Sequence, residues 1–179
     1  TGLHSLDQAV TLFFPASLLH SAAELFPDFA RGAGLSLRKQ NITVQPIPFL
    51  SQANYDRLLW SCDCNFVRGE DSWVRAIWAG QAFVWQPYIQ EEGTHLKKMQ
   101  AFLDRYSKQA SPELSTLLTA AHYAWSNAKT HDSKIFTELM QALHLAKEHA
   151  LAEANRLAKQ PNLLSKLLSF NEKLTENKV

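Results

Sequence analysis

Hydrophobic and polar positions follow two different periods up to residue 106. Short runs rich in β-branched and aromatic residues predict strands at 11–14, 42–47, 62–67 and 82–85. Between them, apolar positions three and four residues apart predict amphipathic helices that begin near Ser17, Ser51, Ser72 and Thr94. From 41 to 106 strands and helices alternate at short spacing, which is typical of an α/β fold with a parallel sheet and crossover helices.

Proline and glycine mark several boundaries of these elements. Pro46 lies inside a predicted strand, and because proline cannot donate to a β-ladder, it indicates an edge strand or a strand end. Gly80 follows the helix predicted over 72–79 and is a suitable C-terminal cap. The first loop lacks a Gly-x-Gly-x-x-Gly motif, so a standard dinucleotide site is not expected.

The pattern becomes wholly helical after residue 111. Pro112 suits the first position of a helix, and helices are predicted over 114–128, 133–160 and 163–174, with a break at Pro161. These segments carry no recognisable motif. We therefore predict two parts: a sheet-containing domain over 1–110, and a helical extension over 111–179 that packs on it and on a neighbouring part of the protein.

Composition narrows the class of protein. The 179 residues include 18 Lys and Arg and 17 Asp and Glu, so there is no basic excess for broad nucleic-acid binding. No apolar run approaches the roughly 20 residues that span a bilayer, and no segment is convincing as a signal peptide. Cys62 and Cys64 are predicted to share one strand face as buried free thiols rather than metal ligands. A reducing, cytoplasmic location is the expectation.

The turn between the third predicted strand and its helix carries the best candidate chemistry. Gly69 permits a tight turn, and Asp71 or Ser72 can cap the helix, which explains one polar residue of the group. That structural interpretation leaves Arg68 and a second carboxylate without a role. The alternative is a ligand site, in which the helix amides, Ser72 and Arg68 hold a diphosphate while Glu70 and Asp71 bind sugar hydroxyls.

A second candidate segment, 48–52, also follows a strand and opens a helix. Phe49 and Gln52 could stack on and hydrogen-bond a nucleobase. The simpler interpretation is an ordinary helix capped by Ser51 with a packed Phe, and without further context it is the stronger one. The seven histidines form no metal-ligand pattern, because His144 and His149 are five residues apart and fall on different faces of a helix.

Several stretches occur together in one order: 54–60 (NYDRLLW), Asp63, 65–72 (NFVRGEDS), Arg75-Ala76, 78–80 (WAG) and 83–85 (FVW). This series resembles the elongation factor P arginine rhamnosyltransferase family, EarP, closely over 48–103 and loosely elsewhere, with residues 1–40 matching poorly. The resemblance implies a GT-B fold, in which two Rossmann-like halves enclose the active site. It also implies inverting transfer of rhamnose from dTDP-β-L-rhamnose to an arginine of elongation factor P, without a metal or other cofactor.

The resemblance implies roles for the candidate residues. Phe49 and Gln52 would hold the thymine, with Tyr55 close by. The turn of Arg68, Gly69, Glu70, Asp71 and Ser72 would bind the diphosphate and the sugar, with Ser72 and backbone amides on phosphate. Glu70 would be the catalytic carboxylate of this half, in contact with rhamnose or the acceptor guanidinium.

The resemblance also implies a division of labour. Residues 1–110 would be the Rossmann-like, donor-binding C-terminal half of the GT-B enzyme, with 111–179 as its helical extension. The general base is expected in an N-terminal half that this sequence lacks, so the chain should not catalyse transfer alone. Elongation factor P and that other half would be its partners. Two rivals stay open: a GT-B transferase for UDP- or GDP-sugars, and a non-catalytic interaction domain that binds through its helical tail.

Overall fold

The structure, a computed structural model, describes residues 8–18, 30–31, 36–126 and 133–176 and has an α/β fold. The strands are β1 Val10–Pro15, β2 Ala30–Arg31, β3 Leu37–Lys39, β4 Ile42–Ile47, β5 Cys64–Arg68 and β6 Ala82–Gln86. The helices are α1 Gln52–Ser61, α2 Glu70–Ala79, α3 Thr94–Tyr106, α4 Pro112–Ser126, α5 Ser133–Gln141, α6 Leu143–Ala158 and α7 Leu163–Glu176. Of the helix predicted from Ser17, only the 3-10 turn Ala16–Leu18 is described, and the remainder lies outside the described residues.

The strands form two hydrogen-bonded sheets. One has the order β1-β4-β3-β2, with β1 and β4 parallel and β2, β3 and β4 antiparallel, and the other pairs β5 with β6 in parallel. The parallel β-α-β pattern predicted from sequence is therefore present, but the single continuous sheet expected over 41–106 is wrong. A two-residue loop with Gln40 at φ 53° joins β3 to β4 as a hairpin, and strand pairing of this kind is not visible in a hydrophobic pattern.

Pro46 marks a strand end rather than an edge strand. β4 lies between β1 and β3, but β3 pairs only with Ile42–Val44, so Pro46 is beyond the last pairing on that side. The apolar side chains of this sheet form a small core of their own around Leu37, Ile42 and Val44.

The main core surrounds β6. Four successive residues of this strand, 82–85, are buried, because helices α4 and α6 both pack against it. Trp85 stacks on Trp73 of α2 with the ring centres 4.3 Å apart, and Phe102 of α3 meets both rings edge-on. Burying such side chains stabilises the fold by about 1.5–3 kcal/mol each. Leu118 of α4 belongs to the same core, and the division at residue 110 stays a prediction.

The C-terminal helices follow the predicted segments with one difference. The helix predicted over 133–160 is two helices that meet at Ala142, whose backbone (φ −91°, ψ 14°) is not helical. Alanine is a good helix former, so nothing local in the sequence indicates this break. Helix α7 follows Pro161 as predicted, and its apolar side chains are each more than half exposed: Leu163, Leu164, Leu167, Leu168 and Phe170. Within the described ranges, no helix is both long enough and apolar enough to span a bilayer.

Candidate functional site

The turn between β5 and α2 is held in place by β6. Gly69 has φ 82° and ψ 176°, and its amide donates to the Gln86 carbonyl at 2.9 Å. Its own carbonyl accepts from the Trp85 indole Nε1 at 2.9 Å and from the Trp73 amide at 3.3 Å. A strand, an aromatic core residue and the helix itself therefore all fix the position of this one glycine.

Helix α2 begins earlier than predicted and has no side-chain cap. The N-cap is Gly69, and Glu70 and Asp71 lie in the first turn, so the prediction that Asp71 or Ser72 caps the helix is wrong. The reason is that glycine tolerates the backbone geometry of this N-cap, which lets the helix start directly after β5. The first amides of any helix have no intrahelical partner, and together with the helix dipole they favour a bound anion.

Gly69→Ala is expected to destabilise the chain by about 1–3 kcal/mol, since this backbone region is essentially restricted to glycine. A Cβ at this position would also lie 2.7 Å from Cζ and the hydroxyl of Tyr88. Urea denaturation measures the loss. Gly93→Ala is the matched control, because Gly93 also has a positive φ (69°) but open space around its Cβ position. An equal loss in both variants would show that the contact with Tyr88 contributes nothing.

Arg68 and Tyr88 flank this turn. The Arg68 guanidinium carbon lies 5.6 Å from the centre of the Tyr88 ring, within the range of a cation–π contact, and both side chains are exposed. Sequence reasoning missed Tyr88. Its position two residues after β6 was the available signal, because parallel strands end at the same edge of a sheet and Arg68 ends the neighbouring strand.

The two adjacent carboxylates have different partners. Asp71 Oδ2 accepts from Arg75 Nε at 2.9 Å, and Arg75 Nη1 also donates to both oxygens of Asp56, at 2.8 and 3.0 Å. These hydrogen bonds, first to Asp56 and then to Asp71, raise the pKa of the Arg75 guanidinium. Glu70 has a longer contact, 3.8 Å to Lys98 Nζ, between two half-exposed side chains. Glu70 is therefore the more available carboxylate for a ligand, since exposed ion pairs of this length are weak.

The second candidate segment lies at the start of α1. Ser51 caps this helix as predicted, accepting from the Asn54 amide at 3.4 Å. Phe49 is fully exposed, so the interpretation of a packed Phe is wrong. Gln52 is exposed at the first helical position, and Tyr55 is partly buried against the main core.

The structure brings the two candidate segments to neighbouring helices. Helices α1 and α2 pack against each other, and the Asp56–Arg75 bond joins them. Ser72, in the first turn of α2, is partly buried. An exposed ring, an uncapped helix start and a carboxylate therefore belong to the first turns of two adjacent helices, and a molecule with an aromatic and an anionic part suits such an arrangement.

The cysteines differ from their prediction in one respect. Both are free and half-buried, but β5 begins at Cys64, so Cys62 does not share a strand face with it. Burial, with a smaller effect of the Asp63 charge, raises the pKa of the Cys62 thiol, and burial raises that of Cys64 to about 12. Both thiols are therefore protonated at neutral pH. Among the described residues no group of three or more His, Cys, Asp or Glu side chains is placed to hold a metal ion.

Comparison with known proteins identifies the class of protein as a rhamnosyltransferase. The family model described as Elongation-Factor P (EF-P) rhamnosyltransferase EarP matches residues 1–172, well beyond the 48–103 expected from the motifs. The protein-arginine rhamnosyltransferase of Pseudomonas putida is 42% identical over 129 residues, which are 72% of this chain and 34% of that protein. That of Shewanella oneidensis is 34% identical over 145 residues, 78% of this chain and 36% of that protein.

A solved structure supports the same assignment. It is described as the structural basis for EarP-mediated arginine glycosylation of translation elongation factor EF-P, and it matches with a TM-score of 0.78 and 32% identity over 96% of this chain. The chain belongs to the EarP family. It spans 55% of the solved chain and, in the aligned parts, about a third of the curated relatives.

Proposed function

We propose that this chain is the donor-binding half of an inverting GT-B glycosyltransferase. The enzyme takes rhamnose from dTDP-β-L-rhamnose and attaches it to an arginine side chain of elongation factor P, in the cytoplasm and without a metal. The observation that carries the proposal is the uncapped start of α2 directly after Gly69, in a chain of the EarP family.

The turn would bind the diphosphate. The first amides of α2 would donate to phosphate oxygens, with the Ser72 hydroxyl and the Arg68 guanidinium beside them. These groups are fixed before the reaction, because Gly69 is tied to β6 by its amide and its carbonyl. Amide dipoles and a cation that spread the negative charge make the diphosphate a better leaving group.

The start of α1 would bind the thymine. Phe49 is exposed and able to stack on a base, and Gln52 offers an amide that can both donate and accept. Tyr55 lies one turn from the start of the helix, where its partial burial fixes the ring. These contacts would give selectivity for the base, while the turn at Gly69 binds the charge.

The carboxylates would serve the sugar and the acceptor. An arginine guanidinium is charged and hardly nucleophilic, so anions must orient it and a base must accept a proton as it attacks. Glu70 is half-exposed with one long contact to Lys98, and it would contact rhamnose or the guanidinium. Asp71 has one oxygen on Arg75 and would use its other oxygen for a rhamnose hydroxyl.

The rest of the reaction requires the other half of the enzyme. The general base belongs to that N-terminal half in this proposal, so the present chain binds donor but does not transfer rhamnose alone. The exposed apolar face of α7, with Leu164 and Leu168 among its side chains, would pack against it. Nucleic acid and membranes have no part in the proposal.

Titration of the chain with dTDP and dTDP-rhamnose, followed by amide NMR or calorimetry, tests this function. Both ligands are expected to bind, with shifts near Gln52 and Ser72, whereas UDP and GDP bind more weakly. EDTA is expected to leave donor affinity unchanged. Preferential binding of UDP or GDP would favour a different sugar donor, and no binding by any nucleotide, in this chain or in a full-length enzyme, would refute the proposal.

Phe49→Ala and Gln52→Ala are each expected to weaken dTDP binding by about tenfold, because loss of a stacked ring or of base hydrogen bonds costs about 1–3 kcal/mol. Phe170→Ala is the matched control, since Phe170 is another exposed ring, on α7. Unchanged affinity in both site variants would remove the thymine site from the start of α1.

A further inference from the structure

One arginine connects the two segments assigned to the donor. Arg75 of α2 donates through Nη1 to both oxygens of Asp56 on α1, at 2.8 and 3.0 Å, and through Nε to Oδ2 of Asp71 at 2.9 Å. The Arg75 and Asp56 side chains are sheltered, with 22% and 29% of their surfaces exposed. Short, charge-assisted contacts of this kind restrict geometry more than a single exposed ion pair does.

The position of this network is informative. Asp56 lies four residues after Gln52, so it is about one turn below the start of α1. Arg75 lies four residues after Asp71, so it is about one turn below the start of α2. The ion pairs therefore lie directly beneath the base-binding end of one helix and the diphosphate-binding end of the other.

We propose that Arg75 is a positioning residue that sets the separation of the thymine site and the diphosphate site. This inference rests on the proposed function. A nucleoside diphosphate can use both sites at once only if their spacing matches the molecule, whereas a free nucleoside or free pyrophosphate uses one site and is indifferent to the spacing.

The inference also separates the two neighbouring carboxylates. Asp71 orders the site, because one of its oxygens holds the arginine that ties α2 to α1. Glu70 lies outside this network and faces Lys98 of α3. Two adjacent acidic residues are therefore explained by two tasks, one that orders the site and one that is available to the reacting groups.

Lysine cannot replace this arginine. A guanidinium presents donors in a rigid planar fork, which allows it to hold two carboxylates at once, whereas an ammonium on a flexible stem is a point charge. Arg75→Lys therefore keeps the charge of the site and removes the geometry. Asp56→Asn is a second variant, in which α2 keeps its own Arg75–Asp71 pair and only the connection to α1 is weakened.

The test compares three probes on this chain: dTDP, thymidine and inorganic pyrophosphate, each titrated by NMR. In Arg75→Lys and Asp56→Asn the affinity for dTDP is expected to fall by about tenfold, because misplacement of one site by a fraction of an ångström suffices. Thymidine and pyrophosphate are expected to keep their affinities. Lys147→Gln is the control, since it removes another ion pair between two elements, Lys147–Asp63 at 2.8 Å.

The outcomes are distinct. If unmodified chain does not bind dTDP, the proposed function fails and the inference fails with it. If unmodified chain binds dTDP and both variants bind it equally well, the function stands and the positioning role of Arg75 is refuted. Equal losses for dTDP, thymidine and pyrophosphate in folded variants would also refute it, because they would show general damage to the site rather than a changed spacing.

Discussion

Glu70→Gln in a full-length enzyme is expected to reduce rhamnose transfer to elongation factor P by about 10²- to 10⁴-fold, the usual range for losing a group that assists proton transfer or orients the nucleophile. The amide has nearly the same shape as the carboxylate, so the fold is retained. Binding of dTDP-rhamnose is expected to persist, because removing an anion close to a diphosphate does not weaken its contacts.

The physical basis of this expectation is the local charge balance. The acceptor guanidinium must approach a site where the donor diphosphate is already neutralised by amides and Arg68, so it needs an anion of its own. Glu70 is half-exposed and faces Lys98 at 3.8 Å, whereas Asp71 is engaged by Arg75 at 2.9 Å. A carboxylate with a long, solvent-screened partner can exchange it for a substrate at little cost.

A matched control is available for this experiment. Glu138 is also a half-exposed helix carboxylate paired with a lysine, Lys134, at 3.4 Å, and it lies on α5 away from the turn. Glu138→Gln is expected to leave turnover unchanged. Turnover close to normal in Glu70→Gln, measured as rhamnosylated elongation factor P, would remove Glu70 from the mechanism.

The free energy of unfolding is expected to fall by about 3 kcal/mol as the pH is lowered from 6.5 to about 4, through His122 alone. This side chain on α4 is completely buried, and burial lowers its pKa from 6.5 to about 4, although its Nδ1 contact with the Leu118 carbonyl at 2.8 Å opposes the shift. Phe83 and Phe102 lie about 6 Å from its ring.

The direction follows from which state binds the proton. Because the folded state holds His122 with a depressed pKa, the unfolded chain takes up a proton first as the pH falls below 6.5. The stability is therefore fully present above pH 6.5 and is lost progressively until the folded pKa is reached. Urea denaturation at a series of pH values measures the slope.

His122→Gln is expected to reduce this pH dependence, because glutamine keeps a hydrogen-bonding side chain and does not titrate. His144→Gln is the control, since His144 is an exposed histidine on α6. If His122→Gln kept the full loss between pH 6.5 and 4, the acid sensitivity would have another origin.

Most local features of the fold could be predicted from short stretches of sequence. β5, β6 and α1 lie within two or three residues of their predicted positions, and Ser51 and Gly80 cap helices as expected. The reason is that capping and hydrophobic period depend on neighbours a few residues apart. Family membership is equally legible, because it depends on the order of residues in the chain rather than on their contacts.

The candidate site was predictable only in part. The turn at Gly69 was identified as a strand-to-helix corner, but its true cap and the ring of Tyr88 over it were not. The capping geometry depends on β6, which holds the glycine from a different part of the chain. The exposure of Phe49 likewise depends on what packs nearby, and no pattern along the sequence reports that.

The sequence by itself determined where most strands and helices lie, the family of the chain, and the residue types at the turn. Tertiary structure alone decided that β4 pairs with β1 and β3, and that Arg75 reaches Asp56 across 19 residues of chain as well as Asp71 beside it. Local preferences act over a few residues, whereas strand pairing and ion-pair partners are set by how distant segments bury their apolar surfaces together. That is why two adjacent carboxylates look alike in the sequence and have different partners in the folded chain.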